Sequence, residues 1–244
     1  MRPVRRRGSP QASDFADYTG AKKHLVSRLG SYCSYCERLV VTQLAVEHVQ
    51  PKGLAQYEHL IGRWENFLLG CVNCNSTKLD QDVDPATVLL PDRDNTFVAL
   101  RYEPDGTVRP SPDMAPAVRT MAASLLTLAG LDKPISEARD ENGKLVAIDR
   151  VAQRMEAWAT ARDAKDDVDQ SPGNAAVRRL VAVLSAKTGF FSIWMTVFQG
   201  DADMRNRLID AFAGTRQSGC FDPVTTEPRS PAPNPDGLAN GGKS

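Results

Sequence analysis

Four cysteines fall into two Cys-x-x-Cys pairs, Cys33 with Cys36 and Cys71 with Cys74. Such a turn sets its two sulfurs about 3.5 to 4 Å apart without strain, and two turns close a tetrahedral site of the kind Zn2+ favours. A redox dithiol needs a single pair near a helix start, so two pairs point to a closed structural metal site. Between and after the pairs stand the dipeptide Glu47-His48, then Asn66, Asn75 and Lys78. These residue types can bind a hard cation, move a proton near neutral pH and meet an anion.

The elements that must position these residues are short. "RLVVTQLAVEHV" is rich in β-branched residues around a turn-like Thr-Gln, and "NFLLG" is a short apolar run. Both read as short strands, one ending at Glu47-His48 and the other beginning at Asn66. "CNSTKLDQD" reads as the start of a short helix. Upstream, "TGAKKHLVSRLG" predicts a helix with a Thr19 cap, Leu25 and Leu29 on one face, and Gly30 as its stop. Downstream, apolar runs flank Pro-Asp-Gly in "TFVALRYEPDGTVRP", which predicts a hairpin. From about residue 114 the pattern is helical, with Ile148, Val151, Met155 and Trp158 expected on one core-facing stripe. Arg178 and Arg179 are read as a solvated helix face. The expected fold class is α+β. Its divisions are a basic disordered arm (1–12), a core with the zinc site (13–95), a hairpin plus helical region (96–219) and a disordered tail (220–244).

The 244 residues, 41% hydrophobic and 25% charged, suit one sizeable domain or two small ones. The opening "MRPVRRRGSPQ" has no apolar leader stretch, and "FFSIWMTVF" falls far short of the roughly 20 residues a membrane span needs. A cytoplasmic location is therefore expected, where paired cysteines are metal ligands more readily than disulfides. Cys220 stands alone, His24 reads as a surface histidine, and His59, in the loop between the expected strands, reads as incidental, with substrate contact the alternative. Net charge is zero, yet residues 1–78 hold eleven Lys and Arg against six Asp and Glu. That surplus stays positive after four thiolates and one Zn2+ are counted, a mild attraction for a polyanion. The final "GLANGGKS" matches a phosphate-loop pattern without the strand and helix that pattern needs, and Asn75-Ser76-Thr77 matches a glycosylation sequon with no expected access to the machinery.

Taken in order, "C-x-x-C", "EH-x-x-PK" and "N-x-x-x-x-C-x-x-CN-x-x-K" over residues 31–80 resemble the HNH endonuclease family in its four-cysteine form. The resemblance implies a ββα-metal core stapled by zinc. It implies His48 as general base, Glu47 as an acidic ligand of a catalytic ion, and Asn66 as the residue that orients the histidine or its loop. Asn75 stands where many members have a final histidine. It offers an oxygen ligand, and with Glu47 it favours Mg2+ or Mn2+ over softer metals. Lys78 and Lys52 are expected to neutralise phosphate charge. The expected substrate is double-stranded DNA; an RNA substrate, or a zinc-dependent binding module without catalysis, are the alternatives. The longer sequence is similar to the HNH subunits of Septu-type anti-phage systems and related retron-associated nucleases. That likeness implies an ATPase partner docked on the C-terminal helices.

Overall fold

A computed structural model describes residues 1–134, 141–143 and 149–244. It is a mixed helix and strand fold. A 3-10 turn at Tyr18–Ala21, capped by Asp17 rather than Thr19, leads into α1 (Lys22–Leu29). Leu25 and Leu29 are buried, and Gly30 ends the helix at φ 75°, as expected of a stop residue.

β1 (Ala45–His48) pairs antiparallel with β2 (Phe67–Gly70), with Glu47 opposite Leu68 and His48 opposite Phe67. Every residue of β2 is buried, so its apolar run is explained by core on both faces. α2 (Val72–Lys78) follows at once, starting at Cys71. "TFVA" forms a helical turn, α3 (Thr96–Ala99), ahead of the expected hairpin. That hairpin is β3 (Leu100–Tyr102) with β4 (Val108–Pro110), turning at Gly106 with φ 76°.

α4 (Pro116–Ala129) starts with proline in its first turn and ends at Gly130 in the left-handed region. α5 (Arg150–Gln170), α6 (Ala175–Thr188), α7 (Phe191–Val197), α8 (Ala202–Ala211) and α9 (Thr215–Ser218) complete the helices among the described residues. Asp149, Asn174 and Asp201 cap three of them through their side chains. α5 corrects one expectation. Val151 is buried and Trp158 packs half-buried against the core as expected, but the buried face runs mainly through Arg150, Arg154, Ala157, Ala161, Ala164 and Val168, and Met155 is only half-buried. Small residues let α5 lie close to α7. Ile148 lies outside the described residues.

The expected disordered arm and tail are also corrected. Met1 and Val4 are buried, and Arg2 donates to the carbonyls of Leu29 and Ala213. Arg6 donates to the Phe67 carbonyl and pairs with the buried Asp92 at 2.7 Å. These guanidiniums satisfy carbonyls that helix and strand ends leave open, so they are structural cations rather than a solvated run. In the tail, Asn95 donates to the carbonyls of Cys220 and Arg229, and Gly242 donates to that of Arg93. Residues 237–244 contain neither strand nor helix, and Lys243 pairs with Asp94 at 3.1 Å, so the phosphate-loop pattern has no matching geometry. One hydrophobic cluster runs from Met1 to Ala232 and includes residues of every sequence division. Among the described residues no helix is long and apolar enough to cross a membrane.

Candidate functional site

The two Cys-x-x-Cys pairs meet where the fold brings the Tyr32–Leu39 bridge against the start of α2. The four sulfurs lie within 4.8 Å of one another and all four residues are buried. Cys36 and Cys71 sulfurs are 3.6 Å apart. Bonds of about 2.3 Å to a tetrahedral zinc would set sulfurs about 3.8 Å apart, so the cluster has the dimensions to hold a metal ion such as zinc.

Two cations face this cluster. Arg38 donates to Cys71 Sγ at 3.3 Å, and Arg150, from the first turn of α5, donates to Cys74 Sγ at 3.2 Å. Contacts from the Cys33, Cys36 and Cys74 sulfurs hold the Cys71 thiol far below its ordinary range, against burial. Four thiolates on a divalent ion carry two net negative charges, and two guanidiniums compensate them. Arg38 follows Cys36 by two residues and was within reach of sequence reasoning. Arg150 is 76 residues from Cys74 and gave no signal.

A cleft of about 660 Å3 opens beside the cluster, lined by Glu47, His48, Lys52, Asn75 and Lys78 together with Tyr18, Lys22 and Leu79. The structure thus brings the expected residues to one place, apart from Asn66, which works from behind. Asn66 is buried, and its side chain accepts from Gln50 N at 2.8 Å and donates to Gln50 O at 2.9 Å. With Val49 N donating to Asn66 O, this clasp closes the 49–66 loop directly after His48.

His48 is packed edge-on against Tyr18 and Phe67, at ring separations of 4.8 and 5.2 Å. Its Nε2 lies 3.0 Å from the Ile61 carbonyl. A carbonyl only accepts, so this partner assigns the proton to Nε2 and leaves Nδ1 with the lone pair. Burial holds the His48 pKa below 6.5, with Lys52 and Lys78 adding to that effect against the Ile61 carbonyl. The ring is neutral at pH 7, the form a proton acceptor requires.

Glu47 is buried and pairs with Lys78 Nζ at 3.0 Å. Lys78 also donates to the His48 carbonyl at 2.7 Å. This departs from the expectation that Lys78 meets phosphate. Its side chain is 2% exposed and its ammonium is occupied by the Glu47 carboxylate and the His48 carbonyl of β1. Lys52, in contrast, is exposed, and its Nζ is 2.6 Å from Tyr18 Oη and over the Tyr18 ring. Asn75 is exposed on α2. His59 is exposed in the 3-10 turn Ala55–Leu60, outside the cleft.

Leu79 closes α2 at φ 46° with its side chain 67% exposed. A residue other than glycine in that backbone region costs on the order of 1–3 kcal/mol. Tyr18, Lys22 and Leu79 are cleft residues that sequence reasoning missed. They come from the 3-10 turn at Tyr18–Ala21, the start of α1 and the end of α2, and no local pattern marks them.

No protein-family model matches this chain, and neither does any curated protein.

Proposed function

We propose that the protein is a metal-dependent endonuclease of the HNH type, with a structural Zn2+ in the Cys33, Cys36, Cys71 and Cys74 cluster and His48 as its general base. The observation that carries this reading is the convergence of Glu47, His48 and Asn75 on one cleft against the four-cysteine cluster. The order of two strands and a helix that delivers them also supports a ββα-metal core.

The reaction is phosphodiester hydrolysis. A water oxygen bonds to phosphorus, its proton passes to His48 Nδ1, and the bond from phosphorus to the leaving oxygen breaks. Asn66 keeps the loop after His48 in place, and the Ile61 carbonyl fixes the tautomer. Glu47 and Asn75 supply a carboxylate and an amide oxygen, a donor set that suits Mg2+ or Mn2+. Such an ion, when bound, supplies positive charge to the scissile phosphate and the leaving oxygen. Lys52 and Lys22 lie at the mouth of the cleft, where backbone phosphates would enter. The Lys78 pair with Glu47 is the one observation favouring a zinc-dependent binding module without catalysis, since it already gives that carboxylate a cation.

Double-stranded DNA is the substrate this reading favours. In an anti-phage role the helical region would take an ATPase partner, and α6 exposes Leu180, Val183 and Leu184 there. The test is cleavage of supercoiled plasmid by zinc-loaded protein with Mg2+, Mn2+ or EDTA, beside a folded His48→Ala variant. Cutting that needs the divalent ion and is lost with His48 supports the nuclease. Cutting of RNA alone moves the substrate; silence on both, repeated with the co-purified ATPase partner, leaves the binding module.

A further inference from the structure

We propose that the cavity between the β3–β4 hairpin, α7 and α8 is a binding site for a small monocarboxylate with an apolar body, its carboxylate held by Arg205. This cavity shares no lining residue with the cleft of Glu47 and His48, and the proposal stands whether or not the nuclease reading holds.

The cavity has a volume of about 240 Å3 and Arg205, on α8, lines it. The Arg205 side chain is 3% exposed, yet among the described residues its guanidinium makes one hydrogen bond, from Nη1 to Glu227 at 3.2 Å. Its Nε is buried with no partner. A guanidinium carries five N–H donors, and burying its charge without acceptors for them is costly. Burial accordingly pushes the Arg205 pKa below 12.5, and Glu227 opposes that only in part. Arg2 and Arg6, by contrast, are spent on the fold: Arg2 donates to two carbonyls and Thr215, and Arg6 to two carbonyls and Asp92. Arg205 keeps unspent donors at the wall of a cavity, which marks it for an acceptor that the fold does not supply.

The rest of the lining defines that acceptor. Phe97, Leu100 and Met195 give the cavity an apolar wall. Phe97 is fixed edge-on against Phe191 and Phe221, and Arg205 Cζ lies 5.9 Å from the centre of its ring. A planar donor fork beside an aromatic face fits a carboxylate on an apolar body. Arg101 also lines the cavity and pairs loosely with Asp113 at 3.5 Å. Two arginines thus stand against two carboxylates, Glu227 and Asp113, a balance that tolerates one added negative charge better than the two of a phosphate monoester. Both carboxylates are exposed, 64% for Glu227 and 75% for Asp113. Glu227 can therefore swing into water as a ligand carboxylate takes its place on Arg205. The volume is below the roughly 300–1,000 Å3 usual for ligand pockets, so the body is limited to about one ring.

The experiment titrates the whole zinc-loaded protein by calorimetry with benzoate, and with benzamide and phenyl phosphate as its neutral and doubly charged counterparts. Benzoate should bind once per chain with a Kd of about 1 mM or tighter, and both counterparts about tenfold or more weakly. Glu227→Gln removes the competing carboxylate and should tighten benzoate about tenfold. Arg205→Met should abolish binding while melting no lower than wild type, because it removes a buried charge with few partners. Saturable benzoate binding retained in Arg205→Met would overturn the site. So would no saturable benzoate binding to wild type, or a counterpart that binds as tightly. If Arg205→Met does not fold, Glu227→Gln decides alone: an affinity for benzoate no tighter than that of wild type would assign Arg205 to the fold and end the proposal.

Discussion

His48 is where a change of one residue should be read most directly. Burial keeps its pKa below 6.5, so the ring is neutral at pH 7 and is protonated only as the pH falls further. Cleavage should therefore be level near neutrality and decline through an acid limb lying below pH 6.5. Lys52 is one of the cations that hold the value down, so Lys52→Gln should move the limb upward. The measurement is kcat/KM against pH for both proteins; a wild-type limb above 6.5 would deny His48 the role of base. His48→Ala should cost about 10²- to 10⁴-fold, the usual worth of a positioned base. At this scale the sequence was informative. Residue types and spacing pointed to the four cysteines, Glu47, His48 and Asn75. Lys78 was misjudged because a lysine two turns along a cleft-facing helix reads as solvated. Only the tertiary pairing of its Nζ with the Glu47 carboxylate and the His48 carbonyl turns it inward.

The elements around the cysteine cluster are too short to stand alone: β1 and β2 have four residues each and α2 has seven. A structural metal can supply on the order of 10 kcal/mol or more, comparable to the stability of a whole domain. Metal removal with a strong chelator, or Cys71→Ser, should thus melt residues 31–78 first, seen as loss of hydrogen-exchange protection in β1, β2 and α2. Retained protection in a metal-free protein would show that the core is held by packing alone. These short elements were legible because cysteine spacing and β-branched runs mark them locally. α5 was read only in part, for the opposite reason: Val151 and Trp158 face the core as expected, but most of the buried face was missed. Its buried alanines carry little hydrophobic signal, while the larger Met155 and Trp158 beside them dominate a count of apolar residues.

Over the whole molecule, the arginines of the first segment change the meaning of the charge surplus. Arg2 and Arg6 are interior, and Arg5 pairs with Asp236, so much of that positive charge faces the fold rather than a ligand. Sequence reading takes a run of arginines as solvated. It had no means of seeing the open carbonyls at Leu29, Phe67 and Ala213. Asp92, between Arg6 and Arg93, is the counterpart. Burial pushes its pKa up, but Arg6 and Arg93 outweigh that and hold it below 3.8. A carboxyl lowered on folding gives stability that is present above the unfolded value and lost as the pH falls through the folded one. Arg6→Met should cost about 3 kcal/mol or more at pH 7, and the gap from wild type should narrow below pH 3.8 as Asp92 protonates. Urea unfolding of both proteins at the two pH values checks it; a gap that does not change with pH would assign the loss to packing.

Glu37, one residue after the first cysteine pair, is buried and accepts from Ser192 N, Ser192 Oγ and Tyr102 Oη. With Arg150 on Cys74, this ties the cysteine-cluster region to β3, α5 and α7. A piece ending at residue 95 would keep every proposed catalytic group yet leave Glu37 stripped of those donors and the thiolates short of a counter-ion. The cysteine-cluster region is therefore not a portable cassette that can be lifted out and grafted onto another protein; whatever it is joined to must bring the helices along.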